Sequence, residues 1–217
     1  MTKSFSDRVN EELREFCKSA DDFPWQNPDA YAEWLGQAWY FVRHATRLLS
    51  LTASKFDLDR NELHNRFLDH LREERGHDVM LVRDLKALGR EVKDFPERPE
   101  TAALYQVQYY WIEHVDPIAF FGYILCLEGV AVSRGRQIYE TVCKVHGEKA
   151  GLFLKVHSNE DEEHYAKALK QLSKISEREQ KWVLENMALS RGLYANMFAA
   201  IKAGAVAVPS NKLKRAA

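Results

Sequence analysis

With 217 residues, 46% of them hydrophobic, the chain can bury one substantial core, and nothing in it demands a second domain. Its 31 basic and 32 acidic side chains leave a net charge of -1, so there is no electrostatic case for nucleic acid or a membrane surface as partner. The three cysteines, Cys17, Cys126 and Cys143, are few, widely spaced and odd in number, which fits reduced thiols in a cytoplasmic protein better than a disulfide framework.

Taken in order, the chain reads as one all-α domain over residues 1–203, a bundle of about seven helices, with a loose basic tail at 204–217. Met1 to Cys17 is charged and amphipathic rather than a basic region followed by an apolar run, so no signal peptide is expected. Phe5, Val9, Leu13 and Phe16 place a helix over Ser4 to Ser19. Asn27 and Pro28 open a long second helix that is expected to run to about Lys55, with Gln37 and His44 as its polar insertions. A third spans Asp59 to Leu88 and is stopped by Gly89. Thr101 to His114 is short and aromatic, and Asp116 with Pro117 opens a helix reaching about Val145. Its apolar run, Ile118 to Leu127, is too short to span a bilayer. Leu152 to Leu172 is the sixth, and Ser176 with Glu179 caps a seventh that ends near Ala203.

Chemistry enters through the sixth helix. His157, Asp161 and His164 are spaced four and three apart, which at about 100° per residue puts them on one stripe roughly 40° wide. Leu154, Ala168 and Leu172 continue that stripe, so two imidazoles and a carboxylate point inward, where unpartnered polar groups are costly. A core histidine hydrogen-bonded by Asp161 would satisfy the triplet alone. The third helix repeats the pattern, however, because His70, Glu74 and His77 share its spacing and lie along the stripe of Leu63, Phe67, Leu71, Leu81 and Leu85. Two such walls point to a metal site. Carboxylate-x-x-His on two helices is the recurring ligand unit of dinuclear carboxylate sites in bundles, where two further helices each add a Glu. Glu128, the lone acid in an apolar helix, supplies one. For the other, Glu33 and His44 are both candidates, with His44 preferred and a hydrogen-bonded core histidine as its alternative.

The segments AWYFVRHATRLL, EERGHDVMLVRDLKALG, DPIAFFGYILCLEG and FLKVHSNEDEEHY, in that order, resemble the heme-oxygenase-like diiron oxidases. These are relatives of the thiaminase II and pyrroloquinoline-quinone synthase fold, also known as iron-containing redox enzymes. The resemblance covers roughly residues 30 to 200 and implies a seven-helix bundle. Residue by residue, it assigns His77, Glu128, His157, Asp161 and His164 as iron ligands, with Glu74 as a further one. His70 stands where some members have Glu, and His44 where others draw a ligand from an early helix.

Carboxylates and neutral imidazoles suit Fe(II), with Mn(II) as the alternative ion, and no thiolate lies on the stripes. The resemblance implies two irons that together reduce O2 and oxidise a small amine, amino acid or carboxylate; Glu128, as the carboxylate drawn from the most apolar helix, is the expected catalytic bridge between them. One iron is expected to belong to the His157 set and the other to the His77 set. Tyr105, Tyr109, Tyr110, Trp111, Phe120 and Phe121 are the expected pocket wall, with ordinary core packing as the alternative. Partners are then a substrate and O2, with a homodimer kept open. Three other readings remain: a cofactorless thiaminase II-like or quinone-cofactor-synthase-like enzyme using Cys126 or a histidine, a heme protein using His44, and a non-catalytic interaction or metal-storage protein.

Overall fold

The computed structural model describes the backbone at residues 3–172 and 174–207 and, within these, every side chain except those at 159–164, 166–167 and 206–207. Helices begin where the sequence supplies caps. Ser4 and Asp7 form a reciprocal capping box ahead of α1 (Phe5–Asp21). The Asn27 side chain accepts from the amides of Asp29 and Ala30 and opens α2 (Pro28–Val42), where the missing N–H of Pro28 is no loss. There follow α3 (Ala45–Lys55), α4 (Asn61–Glu73), α5 (His77–Ala87), α6 (Pro99–His114), α7 (Phe120–His146), α8 (Leu152–Leu172) and α9 (Glu177–Ala207). No strand occurs among the described residues. The last helix continues to Ala207 rather than stopping near Ala203. The expected tail from 208 onward lies outside the described residues.

Two of the seven segments read from periodicity are broken, which gives nine helices among the described residues. Between α2 and α3 the backbone stays right-handed, but the ladder tightens, His44 N donating to Phe41 O at 3.0 Å in an i to i-3 bond. Between α4 and α5 the cause is Gly76, which takes φ +94°, a conformation that a residue without Cβ adopts at little cost.

The organising element is α7, which packs on α1, α8 and α9. The segment Pro117–His146 is long and apolar enough to cross a membrane by length and composition, yet 67% of its apolar window is buried inside the bundle, as a central core helix requires. Polar side chains fix α6 against α9. Gln108, Asn186 and Ser190 are all fully buried and hydrogen-bonded to one another, Asn186 Nδ2 donating to Gln108 Oε1 at 2.8 Å and Gln108 Nε2 to Ser190 Oγ at 3.1 Å.

Candidate metal centre

The Gly76 turn builds the first half of the site. Glu74 ends α4 and His77 begins α5, so the turn lets one carboxylate face two imidazoles. Glu74 Oε1 lies 3.5 Å from His70 Nε2 and Oε2 lies 3.0 Å from His77 Nδ1. From α7, Glu128 brings Oε1 to 3.1 Å from the same His70 Nε2. From α8, the His157 ring meets His77 edge-on at 4.7 Å. Ligand atoms of Glu74, His77 and His157 all lie within 4.8 Å of one another. His70, His77 and Glu128 are buried.

Protonation follows from these neighbours. His157 Nδ1 lies 2.9 Å from the Phe153 carbonyl oxygen, which can only accept, so Nδ1 carries a proton and Nε2 is the ligating nitrogen of the neutral ring. Burial would lower the His70 pKa, but Glu128 and Glu74 outweigh it and raise it to about 9. Burial would likewise raise the Glu74 pKa, yet hydrogen bonds from His70 and His77 hold it well below the ordinary carboxylate range. The donor set fits a divalent cation of the iron or manganese type: two carboxylates and three imidazoles, buried or part-buried, with no thiolate among them.

A residue that sequence reasoning missed sets the approach of α8. Asp84, two turns after His77 on α5 and fully buried, accepts from the Leu152 amide at 3.0 Å and the Phe153 amide at 2.9 Å. It therefore caps the helix that carries His157, from the helix that carries His77. Asp84→Ala is expected to cost about 1–2 kcal/mol, the usual range for a lost cap. That corresponds to a melting temperature lower by roughly 2–8 °C at this size, and metal affinity should fall as His157 loses its register. Burial raises the Asp84 pKa from 3.8 to about 6 against its two amide bonds. The folded value is thus the higher one, so the folded state holds this proton more tightly and Asp84 contributes less stability as pH rises through that window. Denaturation of the wild type and Asp84→Ala should therefore differ more at about pH 4 than at about pH 7.

Other sequence-derived candidates lie elsewhere or are not described. Asp161 and His164 belong to α8, but their side chains are outside the described residues. His44 stacks on Tyr105 at 4.0 Å and meets the Tyr109 hydroxyl at 2.9 Å through Nδ1, a pairing with α6 rather than with the cluster. Glu33 is paired with Arg98 at 2.5 Å, so it is no ligand candidate. His77 and His157 stand in one group with Glu74, while the rest of the His157 set lies outside the described side chains.

Beside the cluster lies a cavity of about 140 Å³, walled by His70, Glu74, Glu128 and His157 on one side and by aromatic rings including Trp34, Phe120 and Phe153 on the other. Of the expected aromatic wall only Phe120 contributes; Tyr105 is engaged with His44 and Tyr110 is 60% exposed. Cys126 is fully buried, off this wall, and burial pushes its thiol pKa far up.

Residues 32–194 match the family model described as iron-containing redox enzyme. No curated protein is significantly similar in sequence. Among solved structures, a domain of unknown function with a heme oxygenase-like fold from Shewanella denitrificans superposes with a TM-score of 0.84 at 16% identity, each chain covered 100%. A TenA homolog from Pseudomonas syringae pv. tomato gives 0.76 at 15% identity, with 92% of this chain and 93% of that one covered. A TenA homologue from Pyrococcus furiosus gives 0.68 at 12%, with 91% and 100% covered. The bundle is thus heme-oxygenase-like, as the sequence led us to expect, and identities this low speak for the fold alone.

Proposed function

Because the chain belongs to the iron-containing redox enzyme family, we propose that it is a non-heme diiron oxidase or oxygenase that uses O2 to oxidise a small molecule held in the cavity. The observation that carries this reading is the convergence of Glu74, His77 and His157 within 4.8 Å, with the His70 and Glu128 pair at 3.1 Å beside it. Glu74, His77 and His157 would hold one ion; Glu128 and His70, with Asp161 and His164 from the family pattern, would hold the other. Bound iron supplies the electrons for O2 reduction and a Lewis acid for the substrate. The protein's part is to keep the ligands in place and water out. Asp84 fixes the start of α8, the Phe153 carbonyl fixes the His157 tautomer, and the aromatic wall gives a largely apolar space next to the carboxylates. A cofactorless mechanism through Cys126 finds no support, because that thiol is not among the described residues lining the cavity. The free thiols of Cys17, Cys126 and Cys143 suit a reducing cytoplasm.

Anaerobic loading of the full chain with Fe(II), followed by metal analysis and an oxygen electrode, tests the proposal. About two irons per chain, with O2 consumed on mixing, are expected. A plateau at one iron, or no O2 uptake by the loaded protein, would contradict a dinuclear oxidase.

A further inference from the structure

The α7 face that lines the cavity follows helical spacing through Phe120, Tyr123, Leu127 and Glu128, so the ring at 123 and the carboxylate at 128 open into one space. Tyr123 is 5% exposed and stacked on Phe120 at 5.3 Å, which fixes its ring. No hydrogen bond joins its hydroxyl to any other described residue. The neighbouring polar groups are already engaged: Trp25 Nε1 donates to the Ala20 carbonyl at 2.8 Å, Trp34 Nε1 to the Tyr194 hydroxyl at 3.0 Å and Ser158 Oγ to the Lys155 carbonyl at 3.0 Å. The hydroxyl is not among the buried polar atoms sealed off by protein, so it is accessible from the cavity and can donate to an acceptor placed there. The remaining wall narrows what can bring it. Among the described lining residues most side chains are apolar, and the two carboxylates present, Glu74 and Glu128, face imidazoles of the metal cluster. The volume, about 140 Å³, is close to that of a cavity that accepts benzene.

We propose that the Tyr123 hydroxyl is a substrate-positioning hydrogen-bond donor, and that the cavity takes a small, largely apolar molecule bearing a carbonyl or carboxyl oxygen. That this ligand is the substrate rests on the oxidase reading above; that the cavity binds it does not.

Cyclohexanone and methylenecyclohexane share shape and heavy-atom count and differ in one acceptor oxygen, so they isolate the hydroxyl's role. Their binding to the full chain, before and after anaerobic Fe(II) loading, is read from headspace gas chromatography. Tyr123→Phe is expected to weaken cyclohexanone about fivefold, the worth of an ordinary hydrogen bond, and to leave methylenecyclohexane unchanged. Because an unpartnered hydroxyl is removed, the melting temperature of Tyr123→Phe should not fall. Equal weakening of both cyclic probes would mean a structural role, and no change in either would mean no role; each overturns the proposal, as does failure of the wild type to bind cyclohexanone. The contrast is expected with and without iron, so failed iron uptake would count against the oxidase reading and not against this one.

Discussion

Glu74→Ala is expected to leave the chain folded but unable to hold its metal. The carboxylate touches both neighbouring imidazoles, His70 at 3.5 Å and His77 at 3.0 Å, and belongs to the group with His157. Outer partners of metal ligands already account for 10- to 100-fold in affinity, and Glu74 is proposed as a ligand, so a loss of at least ~100-fold is the expected scale. In the metal-free protein the change is milder. His70 retains Glu128 at 3.1 Å, and the apolar stripe of α4 is untouched. Circular dichroism should therefore match wild type, while the rise in melting temperature on adding Fe(II) anaerobically should disappear. Glu74→Gln keeps size and removes charge, so an equal loss there would show that the anion matters rather than the shape. Full iron retention by both variants would move the metal away from the α4–α5 turn altogether.

The parts of this site that were legible in the sequence are those set by a single helix's period. His70, Glu74 and His77 were found from their spacing, and they remain neighbours although the helix between them is broken. The signal for that break was present, because Gly76 interrupts a helical pattern, a position where a turn is the usual explanation. The break at His44 carried no such mark, since Arg43 and His44 stay in right-handed backbone and only the hydrogen-bond ladder changes.

What depended on two elements meeting was not legible. Asp84 looks like an ordinary polar residue until α5 is laid beside the start of α8. Glu33 looked available because Arg98, its partner, comes from beyond the loop that follows α5. Aromatic density in α6 pointed to a pocket wall there, whereas the wall is assembled from α1, α2, α7, α8 and α9 by long-range packing. Tyr123 was in view within the apolar run, but nothing local marks a hydroxyl as lacking a partner.

Gly122→Ala should be the most damaging single-methyl substitution near the site, although helix propensity alone predicts the opposite, since Ala is favoured over Gly inside a helix by about 1 kcal/mol. The reason is the crossing of α7 and α9. A Cβ at Gly122 would lie 2.2 Å from the Val183 carbonyl oxygen, 2.6 Å from the Met187 amide nitrogen and 3.0 Å from Asn186 Cβ. Two of those atoms are backbone and cannot rotate aside, so the helices must separate. Separation strains Asn186 as well, whose side chain donates to Gln108 at 2.8 Å and ties α9 to α6. Overpacking of this kind costs roughly 3 kcal/mol or more, or about 6–12 °C in melting temperature for a chain of this size. Because Tyr123 is the next residue and Glu128 lies further along the same helix, iron uptake should weaken along with stability. Gly192→Ala is the matched control. It lies inside α9, where an added Cβ meets nothing within 4 Å, so propensity should act unopposed and raise stability by up to about 1 kcal/mol. Thermal denaturation of the two variants beside wild type should shift in opposite directions, and a Gly122→Ala protein that melts at or above wild type would disprove the close α7–α9 crossing on which the placement of Glu128 depends.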